Sequence, residues 1–152
     1  MNVVVLAAGK GKRMHSSLPK VLQALAGRPL LDHVLDATAG LADHPRVVVI
    51  GHAADIVRKH YEGRTDIVFA FQQEQLGTGH ALMQALAAIN PEDPLTLVCL
   101  GDVPLLSQKT LMAMAEAGAD GSLVLLTVEL SDPTGYGRIV RNASGAVASI
   151  VE

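Results

Sequence analysis

An α/β fold with a mostly parallel sheet is the architecture this sequence predicts, on three observations. Five short runs, Val3 to Leu6, Val47 to Ile50, Ile67 to Phe71, Leu95 to Leu100 and Leu123 to Leu130, are apolar at nearly every position, the pattern of strands covered on both faces. Between successive runs lie stretches with apolar residues at helical spacing. Each connection is long enough for the crossover helix that parallel strands require. Strand and helix in alternation, wound with right-handed crossovers, give a layered α/β fold.

Taken in order, the first run breaks at Ala7 into small residues and then into "KGKRMHSSLPK", where Lys10, Lys12, Arg13 and Lys20 crowd together. Pro29 suits a helix first turn, and Leu31, Val34, Leu35 and Thr38 follow it at helical spacing. The second helix is read from Ile56, Val57, His60 and Tyr61, the third from Leu82, Met83, Leu86 and Ile89. Ser107 is a suitable N-cap for the fourth, carrying Leu111, Met114 and Ala115. From Pro133 the pattern changes: "DPTGYG" is a turn cluster, and residues 138–152 read as a hairpin around Asn142 to Gly145. The final apolar strand reaches Ile150 and Val151 with no polar tail, the pattern of a fragment of a longer protein, so residues 1–152 are read as one partial domain.

Composition narrows the function. With 152 residues, 49% of them hydrophobic, the chain can bury a real core. A net charge of −3 gives no general attraction for nucleic acid or an anionic membrane, so the basic loop is a local feature with a small anionic target. The single cysteine, Cys99, sits in the apolar run "LTLVCL", which excludes an internal disulfide and fits a reducing compartment. No signal-peptide pattern and no apolar stretch of about 18 residues is present, so a cytoplasmic location is expected. The six histidines, among them His80 beside a glycine-rich turn, show no metal-ligand spacing and read as surface or helix residues.

Ligands of open α/β sheets bind beyond the carboxyl ends of the strands, where the basic loop lies. Two known phosphate loops do not fit it. The third glycine of the dinucleotide fingerprint is replaced by Met14, and the Ser or Thr that a P-loop needs after its lysine is replaced by Arg13. What remains is a backbone made approachable by Ala7, Ala8 and Gly9, followed by donors suited to several phosphates. A triphosphate fits best.

The pattern of Leu6 to Gly9, Gly11, Arg13, Met14, Pro19 and Lys20 resembles the signature of the sugar-1-phosphate nucleotidyltransferases. Three further stretches narrow the likeness: "QQEQLGTGHA" at 72–81, "GDVPLL" at 101–106 and "DPTGYGRIV" at 132–140. In this combination the chain resembles the amino-terminal part of the bifunctional N-acetylglucosamine-1-phosphate uridyltransferase/glucosamine-1-phosphate acetyltransferase family, from Val3 to Glu152. That family's acetyltransferase half, a β-helix of hexapeptide repeats through which the full-length enzyme forms a homotrimer, has no counterpart here. The resemblance implies a Rossmann-like, doubly wound, mostly parallel sheet of the nucleotidyltransferase type, cut short at its carboxyl end.

It also implies a reaction: UMP passes from UTP to N-acetylglucosamine 1-phosphate, giving UDP-N-acetylglucosamine and pyrophosphate for peptidoglycan and lipopolysaccharide precursors. The nucleophile is already anionic, so charge neutralisation is the main need and no general base is required. By family matching, Arg13 holds the β- and γ-phosphates and Lys20 the α-phosphate. Asp102 holds Mg²⁺ together with an asparagine beyond residue 152. Leu6, Ala7, Ala8, Gly9, Gln72, Gly77 and Thr78 take the nucleotide, and Leu100, Gly101, Gly137 and Glu152 take the sugar. Gln72 is expected to offer uracil both a donor and an acceptor. Lys12 stands where the family often has Thr, and Leu100 where Tyr is common. With the second metal ligand beyond the chain, weak uridine nucleotide binding with poor turnover is expected. The alternatives are a nucleotidyltransferase for another base or sugar, and a nucleotide-binding fragment without turnover.

Overall fold

The structure, a computed structural model, describes residues 1–11, 14 and 16–151. Its elements in chain order are β1 (Asn2–Leu6), β2 (Ala24–Leu25), β3 (Arg28–Pro29), α1 (Leu30–Ala37), β4 (Arg46–Ile50), α2 (Ala54–His60), β5 (Ile67–Phe71), α3 (Thr78–Ala85), β6 (Thr96–Leu100), α4 (Gln108–Ala117), β7 (Arg138–Arg141) and β8 (Val147–Val151). Strands β1, β4, β5 and β6 form one parallel sheet in the order β5-β4-β1-β6. The mixed α/β class read from the sequence is therefore the class observed.

Alternate residues of the central strands face opposite helical layers, as the period of a strand dictates. On one face Val3, Val5, Val48 and Ile50 pack with Leu31, Val34 and Leu35 of α1, Val57 of α2 and Leu111 of α4. On the other, Val4, Val47 and Val49 pack with Ala81 and Ala85 of α3. Residues Val3–Val5 and Val47–Ile50 are buried throughout, which is why their runs carry no polar alternation. The edge strand β6 departs from that pattern: Leu97 and Cys99 are buried, while Thr96, Val98 and Leu100 face outward.

Three readings change. Residues 123–130 form no strand, and Leu123 and Val128 are exposed. Apolar and β-branched residues favour an extended chain, but a strand needs a ladder partner, and none of the described residues supplies one. In α3 the buried positions are Ala81 and Ala85, whereas Met83 and Leu86 are exposed. A short hairpin, β2 to β3, turns through Ala26 and Gly27, both with φ above zero as a two-residue turn of this kind requires. The other elements follow expectation. Ser107 caps α4, its hydroxyl accepting from the Thr110 amide at 3.1 Å, and β7 pairs antiparallel with β8 across the Asn142–Gly145 turn.

Candidate active site

The chain runs outward from β1 to β4 and β5, then returns to place β6 on the other side of β1. The winding therefore reverses between β1 and β6, and a crevice opens at their carboxyl ends. Ala7, Ala8 and Gly9 leave β1 there, and Gly101 and Asp102 leave β6. The Gly101 amide donates to the Leu6 carbonyl at 2.9 Å and the Ala7 amide to Val49 at 2.8 Å, so both exits are pinned to the sheet.

A cleft of about 350 Å³ occupies this point. Leu6, Ala7, Ala8, Gly9 and Lys20 line one side of the predicted set, with Gln72, Gly77, Thr78, Leu100 and Asp102 completing it. Residues up to some 96 positions apart in sequence thus meet in one place. A larger cleft of about 470 Å³ lies between β6, α4 and residues 122–126. Its lining has no charged side chain, so it offers an anion nothing.

Two glycines shape the walls. Gly11 has φ +57°, and a Cβ there would lie 2.8 Å from the Cβ of Lys20, so the backbone at Gly11 passes directly against the lysine stem. At Gly51, after β4, a Cβ would lie 2.9 Å from the Gln72 carbonyl and 3.0 Å from Ala8, so the loop after β5 can close on the loop after β1 only because that atom is absent.

Lys20 begins a single 3₁₀ turn, Lys20–Leu22, anchored by buried Val21 and Leu22. Its Nζ lies 2.5 Å from Asp102 Oδ2, both side chains partly exposed. The lysine and the carboxylate were read as separate parts of the chemistry; the fold makes them counter-ions. Gln72 is buried at the end of β5, its amide nitrogen donating to the Gly77 carbonyl at 3.2 Å and lying 3.0 Å from His80 Nδ1. Gly77, at φ +102°, precedes α3, and its carbonyl accepts from the Ala81 amide.

Gly101 is buried behind the cleft, its Cα side against Leu6 and Ala7. Gly137 is exposed before β7 and does not line the cleft. Arg13 and Glu152 lie outside the described residues, as does Lys12. The sequence reading missed Val21, Gln75 and Ala81, which also line the cleft, and it set aside His80, whose position inside "QQEQLGTGHA" was the available signal.

Among the described residues no group of three or more His, Cys, Asp or Glu side chains is placed to hold a metal ion. Asp102 fits a divalent ion as a single hard oxygen ligand facing the cleft, the arrangement used where substrate phosphates and water supply the other ligands.

Against known proteins, the family described as the MobA-like NTP transferase domain matches residues 3–147. The chain belongs to that family. This NTP transferase domain is 55% identical over all 152 residues to the bifunctional protein GlmU of Cupriavidus metallidurans, covering 33% of that protein. The chain thus spans about a third of the length of the curated relatives it matches. Among solved structures, a Methanothermobacter nucleotidyl transferase superposes with TM-score 0.65 at 27% identity, over 76% of this chain and 56% of that one. A manganese complex of the Mycobacterium tuberculosis protein Rv0371c superposes with TM-score 0.64 at 25% identity, over 78% and 59%. The fold, the family and the crevice agree on a nucleotidyltransferase domain similar to that in GlmU.

Proposed function

We propose that the domain is a sugar-1-phosphate nucleotidyltransferase that moves UMP from UTP to N-acetylglucosamine 1-phosphate, releasing pyrophosphate and forming UDP-N-acetylglucosamine for cell-wall precursors. The observation that carries this reading is the convergence of three separated stretches, residues 6–9 with Lys20, residues 72–78, and Leu100 with Asp102, on one cleft at the switch point of the sheet. An oxygen of the sugar phosphate attacks the α-phosphorus of UTP, the bond from that phosphorus to the bridging oxygen of the β-phosphate breaks, and pyrophosphate leaves. Lys20 stands at the cleft wall as a compact positive charge for the α-phosphate, and Arg13 is assigned to the β- and γ-phosphates. The backbone at Ala7 to Gly9 and the Gly77–Thr78 turn approach the ribose and base, with Gln72 behind them. Leu100, Gly101 and Glu152 are assigned to the sugar, whereas Gly137, outside the cleft, is not.

Mg²⁺ at Asp102, when bound, would neutralise phosphate charge. Lys20 must then exchange its carboxylate partner for a phosphate, which keeps the net charge at that point nearly constant. Among the described residues no helix is long and apolar enough to cross a membrane, and a cytoplasmic location is proposed because the substrates are intracellular phosphates. For the whole protein, assembly as a homotrimer is proposed through a portion outside this chain.

The test is pyrophosphate release with UTP, CTP, dTTP or GTP, each paired with N-acetylglucosamine 1-phosphate or glucose 1-phosphate. UTP with N-acetylglucosamine 1-phosphate should be fastest. A different fastest pair would reassign the base or sugar, and binding without release in every pair would leave a nucleotide-binding fragment.

A further inference from the structure

We propose that Gln23 is a positioning residue, a staple that closes the returning limb of the basic loop and so shapes that loop in advance for the β- and γ-phosphates of a nucleoside triphosphate; the inference rests on reading the cleft as a nucleotide site. Past Ala8 and before Pro19, the described residues take part in no strand ladder. A loop of that length costs conformational entropy to order, and a ligand that must order it loses that amount from its affinity. Side-chain hydrogen bonds at the loop's far end, residues 16–18, reduce that cost.

Gln23 directly follows the 3₁₀ turn Lys20–Leu22. Its side-chain nitrogen donates to the Leu18 carbonyl at 3.0 Å and to Ser16 Oγ at 2.9 Å. A carbonyl can only accept, so Leu18 O fixes the nitrogen end of the amide toward the loop. Ser16 Oγ accepts from the Leu18 amide as well, at 3.1 Å, and a hydroxyl oxygen has acceptor sites for both bonds. Both hydrogens of one carboxamide are thus spent on the limb just before Pro19. Gln23 is in turn tied to the core, because its main-chain amide donates to the Lys20 carbonyl at 3.1 Å and its carbonyl accepts from Leu30, the first residue of α1, at 2.9 Å. Pro19, Val21 and Leu22 beside it are buried.

The loop therefore rests on one short turn at two points. Its outgoing limb meets the turn where the backbone at Gly11 passes against the Lys20 stem, and its returning limb meets it through Gln23. That turn also carries the lysine assigned to the α-phosphate. Gln23 does not line the cleft, so it acts through the loop, and residues 72–78 on the base side share none of its bonds. Loss of the staple should weaken the hold on the phosphate end of a nucleotide and spare the base end. Methionine at position 23 keeps the length of the side chain and both main-chain bonds but has no side-chain N–H to donate.

The experiment is calorimetric titration with UTP and with UMP, each with Mg²⁺, for the unaltered protein, Gln23→Met, Ser16→Ala and the double variant. The unaltered protein should bind UTP more tightly than UMP. Gln23→Met should lower the UTP affinity about fivefold to tenfold, the scale of one or two neutral hydrogen bonds, and leave the UMP affinity within about twofold. Ser16→Ala should act in the same direction but less, because the bond to Leu18 remains, and its effect should shrink in the Gln23→Met background, where the shared bond is already gone. UTP and UMP affinities that fall together in Gln23→Met, an unchanged UTP affinity, or fully additive variants would overturn the proposal and leave Gln23 an ordinary residue of the turn. Should Gln23→Met not fold, Ser16→Ala decides by the same contrast between UTP and UMP. If the unaltered protein binds neither nucleotide, or binds UMP as tightly as UTP, the reading of the cleft itself fails, a result read from the unaltered protein alone and so separate from any difference among the variants.

Discussion

Lys20 and Asp102 neutralise each other across the cleft at 2.5 Å. In the proposed reaction each is the other's counter-ion until a phosphate or a divalent cation arrives. Both side chains are about a third exposed, so solvent screening limits the pair to about 1 kcal/mol or less. Removing the lysine leaves Asp102 a free carboxylate, which attracts a cation more strongly. Lys20→Ala is therefore expected to bind Mn²⁺ about threefold to fivefold more tightly in the absence of nucleotide, while turnover falls on the order of 100-fold through loss of charge at the α-phosphate. A Mn²⁺ titration followed by electron paramagnetic resonance checks the first effect and pyrophosphate release the second; metal affinity that does not rise would mean the pair carries no competition. This coupling was not legible in the sequence. Eighty-two positions separate the two residues, and nothing in the order of the chain says that the turn after Pro19 faces the exit of β6. Cys99 was legible, because a lone thiol amid "LTLVCL" points inward in a strand of alternating burial, and burial pushes its pKa up to about 11.

At the scale of elements, the sheet's lower edge is tied by a buried cation. Arg46, the first residue of β4, donates to the Leu35 carbonyl and to Thr38 Oγ1 at the end of α1, and pairs with Asp66 just before β5. Asp66 also pairs with Arg64, at 2.8 Å through Nε. The Arg64 guanidinium first, with Arg46 adding to it, holds the Asp66 carboxyl down to about 2. A folded-state value below the unfolded one of about 3.9 means the carboxylate stabilises the fold above pH 4, and that this contribution is lost as the pH falls from about 4 through about 2. Asp66→Asn should flatten the acid limb of a urea-unfolding series in that window. Near pH 7 it should cost about 1–2 kcal/mol, less than for a fully buried pair because Asp66 is nearly half exposed. Helix α3 teaches a different lesson. Periodicity found the helix but favoured its bulky face, whereas the sheet accepts Ala81 and Ala85, which let the helix approach Val4, Val47 and Val49 closely. Ala85→Leu should cost about 1–3 kcal/mol by overpacking and Met83→Gln less than about 0.5 kcal/mol, a contrast that thermal unfolding of the two variants measures. The run at 123–130 misled for a related reason: composition records what a strand would bury, and the partner that makes it a strand is not recorded there.

For the whole molecule, function follows from where the winding reverses. Continuous apolar runs separated by helical spacing were enough to read an α/β sheet, and the charged loop after the first run marked the working end. Strand order was out of reach, because a parallel ladder leaves no trace in the residues that says β1 lies between β4 and β6. That order is what brings the exits of β1 and β6 together and closes the 72–78 loop over them. A ligand seated there touches loops from three strands and should stabilise the domain as a unit. At a UTP concentration of one hundred times Kd the linkage is about 2.7 kcal/mol, worth about 5–10 °C in melting temperature for a chain of this size. Hydrogen exchange should localise the effect. With UTP and Mg²⁺ present, amides at 7–9, 77–78 and 101–102 should exchange more slowly, while those at 123–130 keep their rates because the uncharged cleft beside them has nothing for a triphosphate to bind. Protection confined to residues 122–126 and β6 would place the nucleotide in the wrong cleft and undo the assignment of the switch-point crevice.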